Sequence, residues 1–175
     1  VFCQTRSSEC AGRCWVARGR RREGAVMDAD LGVPSHPLRG GGAIIDGTSV
    51  VGARAAVDLL KAVRGAVTPE QRQIVLTGAI EWTGESDYDD LEAFGAFIVR
   101  VNVAKCIAIG PEARAIFASV GREGSWDGES QHVEDVASAY DEVSKDIGPG
   151  DVVVVLGGVP KDMGALVLRL SELLA

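Results

Sequence analysis

Four consecutive valines, at positions 152–155 in the segment DVVVVLGG, constrain the fold of this chain more than any other feature. A run that is apolar at every position places hydrophobic side chains on both faces of an extended strand. Such a strand must be covered on both faces, as a central strand of a parallel sheet is. The run therefore predicts a buried strand over 151–158 that ends in two glycines.

Shorter apolar segments repeat this pattern and alternate with amphipathic ones. We predict strands over 43–48, 71–80, 104–110 and 130–133, and helices over 50–63, 87–101, 136–147, 163–174 and from Pro111 onwards. Repeated alternation of strand and helix indicates a parallel sheet with helices on both faces. The predicted fold class is therefore α/β, a three-layer, doubly wound, mostly parallel sheet of five to six strands that is Rossmann-like.

Charge divides the chain of 175 residues near residue 42. Residues 1–42 carry a net charge of +3, the remainder carries −10, and the whole chain carries −7. We interpret 1–42 as an irregular basic arm, either non-native or a remnant of a preceding domain, and 43–175 as the folded domain. The acidic balance argues against nucleic acid and anionic membranes as partners. No apolar stretch reaches the roughly 18 residues that a membrane-spanning helix needs.

Several motifs that would carry chemistry are missing from the sequence. It contains no G-x-x-x-x-G-K-[ST] loop for triphosphates, no G-x-G-x-x-G after its first strand, no H-E-x-x-H and no G-x-S-x-G. The arm holds four residues that could bind zinc, namely Cys3, Cys10, Cys14 and His36, but their spacing fits no usual zinc motif. We predict no metal site and no catalytic residue in this chain. His36 and His132 are interpreted as solvated surface residues, and Cys106 as a core side chain.

Glycine recurs where the predicted strands end. The turns concerned are at 46–49, 77–78, 110–111 and 157–158. Ligands of doubly wound sheets bind at this carboxyl edge of the strands. Glycine there can serve a tight turn with positive φ, or it can allow the backbone to approach a ligand. The sequence leaves both readings open.

Three segments carry a resemblance to a known family. They are IVLTGAIEWTGES at 74–86, AKCIAIGPEARAIFAS at 104–119 and PGDVVVVLGG at 149–158. In their order and spacing they resemble the C-terminal domain of the Mur ligases. Within that family the chain is most similar to the ligases that add D-alanyl-D-alanine to a UDP-linked muramoyl tripeptide.

The resemblance implies a function that this chain would share with other domains. It implies the C-terminal, substrate- and nucleotide-closing domain of an ATP-dependent amide ligase of peptidoglycan precursor synthesis, in the bacterial cytoplasm. ATP and Mg²⁺ would be held by a central domain, of the same or a partner chain, which these residues do not include. The UDP-linked muramoyl peptide and D-alanyl-D-alanine are the possible substrates, and the isolated chain is expected to be inactive.

The resemblance also implies which residues face nucleotide or substrate. They are Asp46, Thr48, Ser49, Glu81, Gly157, Gly158 and Lys161. Asp46 would contact the nucleotide and Lys161 the substrate carboxylate. The alternatives are a helix N-cap for Asp46 and ordinary exposed loop charges for Glu81 and Lys161.

Departures from the family pattern keep other functions open. The loop after the first strand, DGTSVVGARAA, lacks the family's Asn-Pro, and Gly78 stands where the ligases that add D-alanyl-D-alanine carry Asp. The family's Lys-Gly-Ser after the last strand is replaced by LGGVPKD. The chain could therefore be a non-catalytic Mur-ligase-like interaction domain, or an independent Rossmann-like domain that binds a small molecule.

Overall fold

A computed structural model describes residues 30–80, 87–157 and 161–174 of the chain. The strands are β1 (Ser35–Pro37), β2 (Ala43–Gly47), β3 (Gln73–Thr77), β4 (Lys105–Ile109), β5 (Glu129–Val133) and β6 (Val152–Leu156). The helices are α1 (Ala53–Ala66), α2 (Asp87–Arg100), α3 (Arg114–Val120), α4 (Val136–Asp146) and α5 (Met163–Leu174). Short 3-10 turns occupy Arg39–Gly41 and Pro111–Ala113. Within this described part, no helix is both long and apolar enough to cross a membrane.

The strands form one six-stranded sheet in the order β1-β2-β6-β3-β4-β5. Every neighbouring pair is parallel except β1 with β2. β6 lies between β2 and β3, so the run of valines occupies a central position, as its composition predicts. The α/β class and the mostly parallel sheet are confirmed.

The last part of the segment 1–42, which was predicted to be irregular, contains a short β-strand. Residues 35–37 pair antiparallel with β2, and His36 faces Ile44 in that register. Pro37 is tolerated because β1 is an edge strand, where one side of the backbone needs no ladder partner. Three residues, one of them proline and preceded by Pro34, show no strand periodicity, which is why the sequence did not reveal β1.

Helices cover both faces of the sheet, as predicted. Residues that alternate along each strand divide between the two layers. On one face, α1, α2 and α3 pack over Ile45, Val75, Cys106 and Val154. On the other face, α4 and α5 pack over Ile44, Leu76, Ile107 and Val153. Cys106 is buried in β4, as the sequence predicts.

Helix α1 begins later than the predicted 50–63. Gly52 is its N-cap and has a φ of 85°, a backbone conformation that a helix cannot include. The buried residues are Ala56, Leu59, Leu60 and Val63. Val50 and Val57 have the spacing of one apolar stripe with Leu60 and Val63, but they only pack against the margin of the core.

Candidate functional site

The carboxyl edge of the sheet contains a topological switch point between β6 and β3. The chain leaves β3 through α2 towards β4, whereas it leaves β6 through α5, which packs back over β2. Connections that diverge from two neighbouring strands leave a crevice above their carboxyl ends, and this is where doubly wound folds bind ligands. The candidate site is therefore the rim formed by the residues that follow β2, β3 and β6.

Gly157 closes the floor of this crevice. The Gly78 amide donates to the Leu156 carbonyl oxygen at 2.9 Å, which holds the turn after β3 against the end of β6. Gly157 has a φ of 86°, and a Cβ there would lie 2.7 Å from the carbonyl oxygen of Ala79. Both the backbone conformation and the lack of space thus require glycine, which supports the tight-turn reading for this position.

The loop after β2 is organised by the carboxylate of Asp46. Its Oδ1 accepts the backbone N–H of Thr48 at 3.1 Å and the Thr48 hydroxyl at 2.6 Å. These bonds form a local turn that ends the strand. The alternative that Asp46 caps α1 is wrong, because that helix starts after Gly52, six residues further on.

The other predicted rim residues differ in their exposure and in their contacts. Ser49 is exposed beside the half-buried Thr48. Lys161 is exposed just before the first residue of α5 and forms no ion pair within the described ranges. Alternation along β2 places Asp46 on the same face as Ile44, and that face is covered by α5. Glu81 and Gly158 lie outside the described residues.

His132 is not the solvated surface residue that the sequence suggests. It lies in β5 and is half-buried, its Nε2 donates to the Gly110 carbonyl oxygen at 2.9 Å, and its ring is 6.0 Å from that of Phe117. Gly110 has a φ of 87° and precedes the Pro111–Ala113 turn. The imidazole therefore holds the turn after β4.

The described residues contain no group of three His, Cys, Asp or Glu side chains that could hold a metal ion. Cys3, Cys10 and Cys14 lie outside those residues. Burial raises the pKa of the Cys106 thiol to about 12, so this cysteine stays protonated at neutral pH. His36 is partly exposed in β1.

A cluster of charges that the sequence analysis missed occupies the opposite, amino end of the strands. The amino-end ion cluster consists of Arg72, Lys105, Asp146 and Asp151. Arg72 donates to both carboxylate oxygens of Asp151, at 3.1 and 2.6 Å, and to the backbone oxygen of Asp146 at 2.7 Å. Hydrogen bonding to Asp151, the largest cause, and to Asp146 raises the pKa of the Arg72 guanidinium above its usual value.

Lys105 joins this cluster from the first position of β4. Its Nζ lies 3.7 Å from Asp146 and 3.5 Å from Glu129, and its side chain is only 9% exposed. The cluster thus ties β3, β4, α4 and the turn before β6 together on the α4 face. The sequence contains one sign of this cluster, namely the charged Lys105 at the first position of the otherwise apolar strand KCIAI.

Comparison with known proteins identifies the family. The family model for the glutamate ligase domain of the Mur ligases matches residues 43–159, from the start of β2 to the turn after β6. This chain belongs to the Mur ligase family. The UDP-N-acetylmuramoyl-tripeptide–D-alanyl-D-alanine ligase of Mycobacterium leprae is 28% identical over 98 residues, which are 55% of this chain and 19% of that protein.

Solved Mur ligases share the fold at lower identity. The MurF ligase of Thermotoga maritima, in complex with ADP, matches with a TM-score of 0.60 and 15% identity, over 80% of this chain and 30% of its own. A MurF structure from Acinetobacter baumannii matches with a TM-score of 0.60 and 16% identity, over 81% and 30%. The chain therefore corresponds to less than a third of these relatives, and the expected resemblance to a Mur ligase C-terminal domain is confirmed.

Proposed function

We propose that this domain closes the active site of an ATP-dependent amide ligase that makes a peptidoglycan precursor. The observation that carries the proposal is the family match over 43–159, because it spans every parallel strand and the rim residues as far as Gly158, with Lys161 two residues beyond its end. The curated relative joins D-alanyl-D-alanine to a UDP-N-acetylmuramoyl tripeptide, as its name states. These two substrates are accordingly our proposal for the complete enzyme.

The rim residues of this chain would bind and cover the substrates rather than react with them. Lys161 would pair with a substrate carboxylate, and the Ser49 hydroxyl would donate to an oxygen of the substrate or nucleotide. The Thr48 hydroxyl already donates its proton to Asp46, so it would accept a hydrogen bond from the substrate or nucleotide. Asp46 would hold the loop in shape through Thr48, since both its described hydrogen bonds go to that residue. Closure of such a rim excludes water from a reactive intermediate that would otherwise hydrolyse.

ATP and Mg²⁺ belong, in this proposal, to the central domain of the same or a partner chain. The residues at hand do not fit them, because the sequence has no triphosphate loop and the described residues contain no cluster of metal ligands. We therefore assign no chemical step to this chain. The isolated chain is expected to produce no ligation product in the bacterial cytoplasm or in solution.

A domain exchange tests the proposal directly. The 175-residue chain would replace the C-terminal domain of the Mycobacterium leprae ligase, and formation of the pentapeptide product would be measured with the UDP-linked tripeptide, D-alanyl-D-alanine and ATP. We expect product from the hybrid and none from the isolated chain or from the relative without its C-terminal domain. A folded hybrid that forms no product would contradict a catalytic role.

Single substitutions then test the rim within an active hybrid. Lys161→Ala is expected to lower kcat/KM for D-alanyl-D-alanine about tenfold, the loss of one charge-assisted hydrogen bond. Lys145→Ala is the matched control, because Lys145 is also exposed but pairs with Glu142 at 2.8 Å in the last turn of α4. Equal kinetics in the two variants would remove Lys161 from the site.

The second candidate is a non-catalytic domain that only docks on a partner. One observation favours it: the carboxylate of Asp46 is engaged within its own loop at 2.6 Å. In this case the hybrid would fold and its domains would associate, but addition of substrates would produce no turnover. Co-purification of the separately expressed domains, together with the product assay, distinguishes the two candidates.

A further inference from the structure

A groove of about 310 Å³ lies at the amino ends of β3 and β4, far from the carboxyl rim. It lies beside the ends of α1 and α2 and borders Arg72 of the amino-end ion cluster. Its lining includes Arg64, Gln71, Gln73, Asn102 and Asp127. Its volume is at the lower end of the range for small-molecule sites, which is about 300–1,000 Å³.

Two glutamines line this groove, and they differ in their hydrogen bonding. The Gln71 amide donates to the Gly41 carbonyl oxygen at 2.8 Å and accepts the Thr68 N–H at 2.9 Å. Gln73 is only 2% exposed, and neither its amide nitrogen nor its amide oxygen has a hydrogen-bond partner. A buried carboxamide without partners costs folding free energy, so such a group calls for a functional explanation.

The rim of the groove carries charges of both signs that are free to bind. Arg64, near the end of α1, and Asp127, before β5, are exposed, and their side chains form no hydrogen bond or ion pair within the described ranges. Asn102, which is also exposed, adds a second unengaged amide. Arg72 contributes no free charge, because Asp146 and Asp151 occupy its guanidinium.

We propose that this groove binds a small zwitterion of dipeptide size, with its carboxylate on Arg64, its ammonium on Asp127 and its amide on Gln73. A peptide group presents one N–H and one carbonyl oxygen, which match the acceptor and donor of the Gln73 amide. In the ligand-free chain the amide is covered, so binding includes rotation of the Gln73 side chain into the groove. Such rotamer changes are common at binding sites.

After rotation the Gln73 amide forms hydrogen bonds with the ligand, and these hydrogen bonds favour the bound state. The inference stands on the contacts of the groove and not on the proposed ligase function. The two sites lie at opposite ends of the same strands, so a variant in one leaves the contacts of the other in place.

Titration of the ¹⁵N-labelled 175-residue chain with glycylglycine, followed by NMR, tests the proposal. The side-chain NH₂ signals of Gln73 are assigned by their loss in Gln73→Met, an apolar substitution of similar size. We expect these signals to shift saturably. Arg64→Met and Asp127→Asn should each weaken binding about tenfold, as the loss of one charge-assisted contact does.

Matched controls make the result decisive. Arg54→Met removes an equally exposed arginine from the first turn of the same helix and should bind as the unmodified chain does. Cyclic glycylglycine keeps the amide but has no charged ends, and it should bind more weakly than the linear dipeptide. Absence of a saturable shift, or equal affinities of the Arg64→Met and Arg54→Met variants, would overturn the proposal. So would a Gln73→Met variant that binds glycylglycine unchanged.

Discussion

The amino-end ion cluster and the carboxyl rim use their polar residues in opposite ways. At the amino end, Arg72 and Lys105 are bonded to carboxylates of the same domain, and Asp151 is nearly buried. At the carboxyl end, the polar side chains bond within a single loop, as Asp46 and Thr48 do, or remain exposed, as Lys161 does. Two glycines with positive φ, Gly110 and Gly157, also shape the carboxyl end through the backbone.

This difference separates stability from binding. Charges that satisfy one another are not available to a ligand, and their loss is expected to destabilise the domain. Exposed polar groups on a rim shaped by backbone contribute little to folding and are free to bind. Substitutions in the amino-end ion cluster should therefore affect unfolding, and substitutions on the carboxyl rim should affect activity, with the backbone glycine Gly157 as the exception.

The largest effect on stability is expected at this backbone glycine, Gly157. Gly157→Ala should lower the free energy of unfolding by about 3 kcal/mol, because the methyl group meets the Ala79 oxygen at 2.7 Å and the backbone has a φ of 86°. Urea unfolding followed by circular dichroism measures the change.

Gly41→Ala is the matched control for this prediction. Gly41 has a φ of 84°, but a Cβ there has no neighbour within 4 Å. The control should therefore show only the conformational strain, about 1 kcal/mol. If the two variants were equally stable, close packing would not explain the glycine at the switch point.

Asp151→Ala should have the next largest effect, about 2 kcal/mol on the free energy of unfolding. Its carboxylate is 8% exposed, bonds Arg72 and also accepts the Gly148 N–H at 2.8 Å. The value is below that of a fully buried pair because Arg72 is 44% exposed and partly screened by solvent.

An exposed ion pair provides the comparison for Asp151. Asp58 is 63% exposed and lies 3.4 Å from Lys61. Asp58→Ala should change the free energy of unfolding by less than about 0.5 kcal/mol. Equal losses at the two aspartates would contradict the stabilising role assigned to the amino end.

Apolar pattern was enough to predict the layers of the fold. The valine run predicted the central strand, and the amphipathic segment 136–147 predicted α4. This helix packs on the sheet through Val136, Tyr140, Val143 and Ile147, which are spaced four, three and four residues apart. These predictions succeed because hydrophobic periodicity reports burial directly. The predicted start of α1 was wrong because the backbone conformation of Gly52, with its positive φ, prevents the helix from starting earlier. A pattern of apolar side chains does not report backbone conformation.

The polar contacts could not be predicted in the same way. Arg72 and Asp151 are 79 positions apart, and only the pairing of β3 with β6 brings them together. His132 read as a surface residue because its partner is a backbone carbonyl at Gly110. The family resemblance was enough to predict which residues lie on the candidate rim. The switch point between β6 and β3 could not be predicted, because it depends on the strand order.

Thr48→Val tests the loop at the carboxyl end and should cost about 1 kcal/mol, the usual value of one hydrogen bond. The substitution removes the 2.6 Å bond from the Thr48 hydroxyl to Asp46 but keeps the shape of the side chain. Thr48→Ser, which keeps the hydroxyl, should unfold with the same midpoint as the unmodified chain in urea. A loss as large as that of Asp151→Ala would show that the carboxyl end also holds the fold together.

The smallest effect is expected at Asp135, and it depends on pH. The carboxylate caps α4 by accepting the Ser138 N–H at 2.8 Å, and this backbone hydrogen bond lowers the pKa of Asp135 below its usual range. A lowered pKa in the folded state contributes stability above the unfolded pKa, about 3.9, and loses it as the pH falls through the folded value. The difference in unfolding free energy between the unmodified chain and Asp135→Ala should thus be constant near neutral pH and shrink below about pH 4.

Asp135→Asn is the control for this prediction. It keeps a capping oxygen that does not titrate, so the difference in unfolding free energy between Asp135→Asn and Asp135→Ala should not change with pH. A cap effect of Asp135 that persisted undiminished at pH 2 would mean that its charge contributes nothing to the stability of the carboxyl end.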